Sequence, residues 1–159
     1  DRSPSRGLGD VYKRQILNHN RSAIETGLTE RKLLHSKIIR DADKVDIYYS
    51  LTIYSKEAVW ESKDLSNDII SDEIYREFKE DKRMNYKNRR SAADGLVCHF
   101  AYVYDFYYKY SLKIIYENNY IEKIYKRHKF NDAKMIILPV KWWASSDIII
   151  LHFVKQIKT

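Results

Sequence analysis

Apolar residues recur at spacings of three and four from Leu34 through Ile38, Ala42 and Val45 to Tyr49. That period predicts one long amphipathic helix, from Glu30 to about Lys56. Thr29 is a suitable N-cap, and Glu30 places a carboxylate in the first turn, where the helix dipole favours it. Ile39 and Ile47 widen the apolar side, so the pattern predicts a central helix with this stripe in the core.

The pattern downstream is shorter in wavelength and richer in aromatic residues. Ser71 or Asp72 can cap a helix through Ile74, Tyr75 and Phe78 to about Met84. Ser91 followed by Asp94 resembles a capping box, with Asp in place of the preferred Glu. In the helix it opens, Leu96, Phe100, Val103, Phe106 and Tyr107 share one side. Two further helices are expected over Ser111–Glu117 and Tyr120–His128, with Asn118 and Asn119 as the break. The resulting expectation is an all-α fold.

Both ends depart from this pattern. Residues 1–15 have no apolar period and hold two of the four glycines and one of the two prolines. They read as a disordered, non-native leader in which Asp10–Gln15 looks like a translated sequencing adapter. Ile16–Asn20 reads as the end of a helix, joined to the central helix by a polar connection with Gly27 at a turn. From Asp132 onward the tyrosines cease, and two of the three tryptophans appear. The runs Met135–Val140 and Ile148–Val154 are β-branched, which predicts an irregular or β-like tail, read either as a hairpin packed on the helices or as a frameshifted end. The expected division is therefore leader 1–15, helical domain 16–131 and tail 132–159.

Charge sharpens the picture at one place. Within Lys37–Asp46 lie the cations Lys37, Arg40 and Lys44 and the carboxylates Asp41, Asp43 and Asp46, on a helix expected to be buried. Charges where burial is expected need a partner or a ligand. At 100° per residue, Asp43 and Asp46 share a face beside the apolar stripe, whereas Asp41 is expected to face water. Two readings stand at this point. The charges form i,i+3 and i,i+4 ion pairs on the helix surface, or Asp43 supplies an oxygen ligand to a hard divalent cation.

Composition changes less. A chain of 159 residues with 44% apolar and 32% charged residues is long enough for one globular core. Its single cysteine, Cys98, excludes an internal disulfide framework and fits a reducing compartment. No apolar run reaches the roughly 18 residues of a membrane span and no signal peptide is visible, so the expected location is the cytoplasm. The net charge is +7, yet each end carries four cations and two anions, so only +3 falls on residues 16–131. That is poor support for nucleic-acid binding, for which Lys82, Arg83, Lys87, Arg89 and Arg90 are the candidate phosphate contacts.

The segments Ile16-Leu17-Asn18-His19-Asn20 and Leu34-His35-Ser36-Lys37-Ile38-Ile39-Arg40-Asp41-Ala42-Asp43-Lys44-Val45-Asp46-Ile47 resemble the C-terminal half of an HD-domain metal-dependent phosphohydrolase. The resemblance covers about residues 16–130. It implies part of an HD-type helical bundle, a divalent metal such as Mg²⁺ or Mn²⁺, and a phosphorylated small molecule or nucleotide as substrate. Asp43 matches the family's last metal-binding Asp and would be the catalytic residue. His19 matches a histidine that serves a second metal or the substrate phosphate. Lys44 and Arg40 would neutralise that phosphate, with Asp46 in support.

The family's His-Asp dipeptide occurs nowhere in this chain, and three of its four metal ligands would lie before Ile16. The resemblance therefore implies a fragment without appreciable hydrolysis of its own. Two other classes remain open: a basic nucleic-acid-binding module, and a helical protein-interaction module. The second is favoured if the apolar face of the central helix proves to be exposed.

Overall fold

A computed structural model describes residues 23–55, 64–80 and 84–136. These residues form an all-α fold, with no strand among them. The long helix α1 spans Glu30–Ile53, and α2 spans Asp72–Lys79. A 3₁₀ turn at Tyr86–Asn88 leads to α3, Ala92–Phe100. A second 3₁₀ turn, Ala101–Asp105, precedes α4, Lys109–Glu117, and α5, Tyr120–Lys126. α1 packs against α4 and α5, which pack on each other, while α2 packs on α3.

Local chemistry sets several of these boundaries as the sequence suggests. Gly27 has φ 76°, the left-handed conformation that a residue without Cβ adopts without steric cost. Asn119, at φ 52°, makes the break between α4 and α5, and Asn is among the few residues that tolerate this region. Ser91 accepts a hydrogen bond from Asp94 N at 3.0 Å, completing the expected cap. Asp94 itself reaches further than a capping box requires. It accepts from Arg90 N at 2.9 Å and from Ser71 N at 2.9 Å, so one buried carboxylate ties the start of α3 to the start of α2.

The aromatic helix is shorter than its pattern predicts. α3 ends at Phe100, and Val103 and Phe106 reach the core from the 3₁₀ turn and the residue after it. Tyr48 of α1 lies in the middle of this cluster, fully buried. Its hydroxyl donates to the carbonyls of His99 at 2.8 Å and Phe100 at 3.1 Å, which serves the end of α3. Its ring lies 6.5 Å from Phe106 in a stacked arrangement and 6.3 Å edge-on from Tyr102. The neighbouring His99 is partly buried, and desolvation lowers its pKa to about 4, so the ring is neutral at pH 7.

The central helix is turned the other way from the expectation. Its buried residues are Ser36, Arg40, Asp41, Lys44, Tyr48 and Leu51. Leu34, Ile38 and Tyr49 of the predicted core stripe are each about half exposed, at 48%, 48% and 47%. The physical reason is that α1 carries apolar residues on more than one side, and Tyr48 and Leu51 fill the aromatic core from the side that also bears the charges. The guanidinium of Arg127, after α5, donates to the carbonyls of Leu51 and Tyr54 and so closes the C-terminal end of α1.

The start of the predicted tail belongs to the helical body. Asp132 accepts from Ile70 N at 2.8 Å, Lys134 Nζ donates to the carbonyl of Ile70 at 2.9 Å, and Met135 is fully buried. Residues 133–136 form a helical turn where a β-like run was expected. The leader 1–15 and the runs beyond residue 136 lie outside the described residues.

Candidate functional site

Of the sequence-derived candidates, Arg40 and Lys44 meet in one buried cluster, which Asp41 joins. Arg40 Nη2 stands 3.0 Å from Asp105 Oδ2, and Lys44 Nζ stands 3.1 Å from the same oxygen. Lys44 also donates to the Asp105 carbonyl at 3.1 Å. Asp41, expected to face water, is 2% exposed. Its carboxylate accepts from Tyr107 N at 3.0 Å, Tyr108 N at 2.9 Å and Ser111 Oγ at 2.8 Å.

The logic of this arrangement is electrostatic closure. Two cations and two carboxylates share a dry volume, so their charges balance, and each carboxylate is hydrogen-bonded. Tyr108, the N-cap of α4, makes no capping bond with its own side chain, and Asp41 serves the free N–H groups there from another helix. A carboxylate at a helix N-terminus also gains from the macrodipole. Burial lowers the pKa of the Lys44 ammonium, and Asp105 opposes that shift.

Arg40 and Lys44 are thus turned to Asp105, 61 to 65 residues along the chain, and are not on the solvent side where a phosphate would arrive. Ser36, on the buried face of α1, has a fully buried hydroxyl without a hydrogen-bond partner among the described residues.

Asp43 and Asp46 are placed differently. Asp43 is half-buried on the flank of α1 and makes no hydrogen bond or ion pair with the other described residues. Asp46 is exposed and lines a groove. His19 lies outside the described residues, as do Lys82 and Arg83. Lys87, Arg89 and Arg90 are exposed, and Arg90 stands 3.9 Å from Glu73. Among the described residues no group of three His, Cys, Asp or Glu is close enough to hold a metal ion. A complete metal site therefore cannot be assembled from them. No helix among them is long and apolar enough to cross a membrane.

The groove beside Asp46 is the other candidate. It runs between α1 and α4, has a volume of about 710 Å³, and is walled by Leu34, Ile38, Val45 and Tyr49 from α1 and by Tyr110 and Ile114 from α4. Tyr120 stands at one end, its ring 6.4 Å from that of Tyr49. This volume falls within the range of ligand-holding clefts, and its walls are almost wholly apolar. The stripe predicted as core is thus the floor of an open groove.

Sequence reasoning missed Asp105, Tyr48 and Ser111. A signal for Asp105 was present: it is the one carboxylate inside the aromatic run Phe100–Tyr108. A lone charge in such a run calls for a buried partner, by the argument that drew attention to residues 37–46. Comparison with protein families, with curated proteins and with solved structures finds no match.

Proposed function

We propose that this chain is a helical protein-interaction module whose docking surface is the open face of α1. The observation that supports the reading is the half-exposure of Leu34, Ile38 and Tyr49 on one stripe, beside an apolar groove. Isolated exposed apolar residues are ordinary, but a contiguous stripe continued by a groove is the form of an interaction site. The charged cluster behind it makes that face rigid, because α1 is pinned to α4 and to Asp105 by buried bonds. A pre-ordered surface loses less entropy on docking.

A dye that fluoresces on apolar surfaces, such as anilinonaphthalene sulfonate, tests this at submicromolar chain concentration. Enhanced emission is expected, with a several-fold loss in Ile38→Glu at unchanged circular dichroism. A wild-type chain that leaves the dye dark would refute the reading.

A second reading is supported by Asp43 alone. Its carboxylate lies on the flank of the open face without a partner among the described residues, in the sequence context that resembles an HD-type phosphohydrolase. On that reading Asp43, with Asp46 beside it, is one wall of a metal site completed by elements that this chain does not supply from its described residues. The expected result is no metal-dependent release of phosphate from a generic phosphomonoester by this chain. Turnover that requires added Mn²⁺ and disappears in Asp43→Ala would instead show a working site.

A further inference from the structure

The open face of α1 has a property that its exposure alone does not imply. Its apolar residues are Leu34, Ile38, Ala42, Val45, Tyr49 and Ile53, and the steps between them are four, four, three, four and four. This order reads the same from either end. About a centre between Ala42 and Val45, Leu34 is paired with Ile53, Ile38 with Tyr49, and Ala42 with Val45.

We propose that the occupant of this face is a second copy of this chain, with the two α1 helices antiparallel about a dyad between Ala42 and Val45. The proposal rests on the interaction reading above and names its partner. An isologous contact must be self-complementary, so that residue i meets j and j meets i. The palindromic spacing supplies this along the whole stripe.

Size complementarity follows the same symmetry. Ala42, exposed and small, stands at the centre and meets Val45 of the second copy, which lets the helices approach closely there. Further out, Ile38 meets the larger Tyr49, and the groove between α1 and α4 gives that ring a place to enter.

The apolar area on offer reaches the lower part of the range for stable interfaces, about 600–1,000 Å² per partner. Ile53 is 51% exposed and Tyr110, on the groove's other wall, is 72% exposed, in addition to the half-exposed Leu34, Ile38 and Tyr49. With Ala42 and the half-buried Val45, Ile114 and Tyr120, each copy offers on the order of 700 Å². A standard stable interface buries about 800 Å² per partner.

Sedimentation equilibrium from submicromolar to about 100 μM tests the proposal. The expected result is a mass of two chains at the upper end, with Ile38→Glu and Tyr49→Glu each weakening association at least about 100-fold. Ile69→Glu, at a position 69% exposed but outside this face, is expected to leave the dimer intact. Because each copy carries +7, added salt is expected to tighten the dimer by screening repulsion. Dye emission per chain should fall as the dimer forms, because the second copy covers the same face.

A chain that stays monomeric while the dye still binds at every concentration would overturn the dimer and leave the interaction reading standing. If neither dye nor second copy binds, both fail. A dimer that survives Ile38→Glu and Tyr49→Glu, or dissociates in salt, uses another surface and also overturns the proposal.

Discussion

Asp41→Ala is expected to lower the folding stability by about 3–5 kcal/mol. Asp41 is 2% exposed, and its carboxylate accepts from two backbone N–H groups and one hydroxyl, at Tyr107, Tyr108 and Ser111. Removing it leaves those donors without their acceptor in a place that water does not reach. Each unsatisfied buried group costs about 1–3 kcal/mol. The loss also leaves the positive charges of Arg40 and Lys44 facing one carboxylate instead of two. Against a typical domain stability of about 5–15 kcal/mol, this is a large fraction. Asp41→Asn, which keeps an acceptor oxygen but no charge, should recover roughly half of the loss. Urea denaturation with an unchanged slope measures both, and a loss below about 1 kcal/mol in the alanine variant would contradict this account.

The second large effect is at the other carboxylate. Asp105→Asn removes the charge that faces Arg40 at 3.0 Å and Lys44 at 3.1 Å, where the three side chains are 14%, 2% and 7% exposed. Breaking a buried pair from one side costs about 3–5 kcal/mol, because the remaining charge has lost its compensation. Here two cations are left, so the upper part of that range is expected. Replacing all three residues by apolar ones of similar volume (Arg40→Met, Lys44→Met and Asp105→Leu together) should be less damaging than Asp105→Asn, because the one charge then left, Asp41, keeps its hydrogen bonds from Tyr107, Tyr108 and Ser111. The comparison separates the worth of the cluster from the harm of breaking it. A triple variant as unstable as Asp105→Asn would show that the cluster itself holds the fold.

Asp41, Arg40 and Lys44 are charges that the sequence singled out for a different reason, and Asp105 is the partner it did not reveal. The density of charge over Lys37–Asp46 indicates burial with partners, which holds for Arg40, Asp41 and Lys44 but not for Asp46, which is exposed. The helical period cannot say which side is buried, because α1 presents two apolar sides. Leu34, Ile38 and Tyr49 make the longer and more regular stripe, whereas Tyr48 and Leu51 make the one that packs. The choice between them depended on Asp105 and on the N-terminus of α4, more than 60 residues away. The same dependence reverses the expectation for Asp41: three residues after Ile38 and four before Val45, it lies at the edge of the stripe, where the period alone does not say whether it meets water or the body. In the folded chain it meets the body.

What the sequence determined by itself is local. The all-α class, the cap at Ser91, the turn at Gly27 and the break at Asn119 follow from residue chemistry acting over a few positions. The self-complementary spacing of the α1 stripe is likewise written in the chain, whatever covers it. What only the tertiary structure decided is the facing of α1. Period 3.6 fixes which residues share a side but not which side is inward. That choice was made by the balance of Arg40, Lys44, Asp41 and Asp105 in a dry volume, and by a tyrosine hydroxyl that serves the last carbonyls of α3. It turned the charges in and left the most regular apolar stripe of the sequence open to solvent.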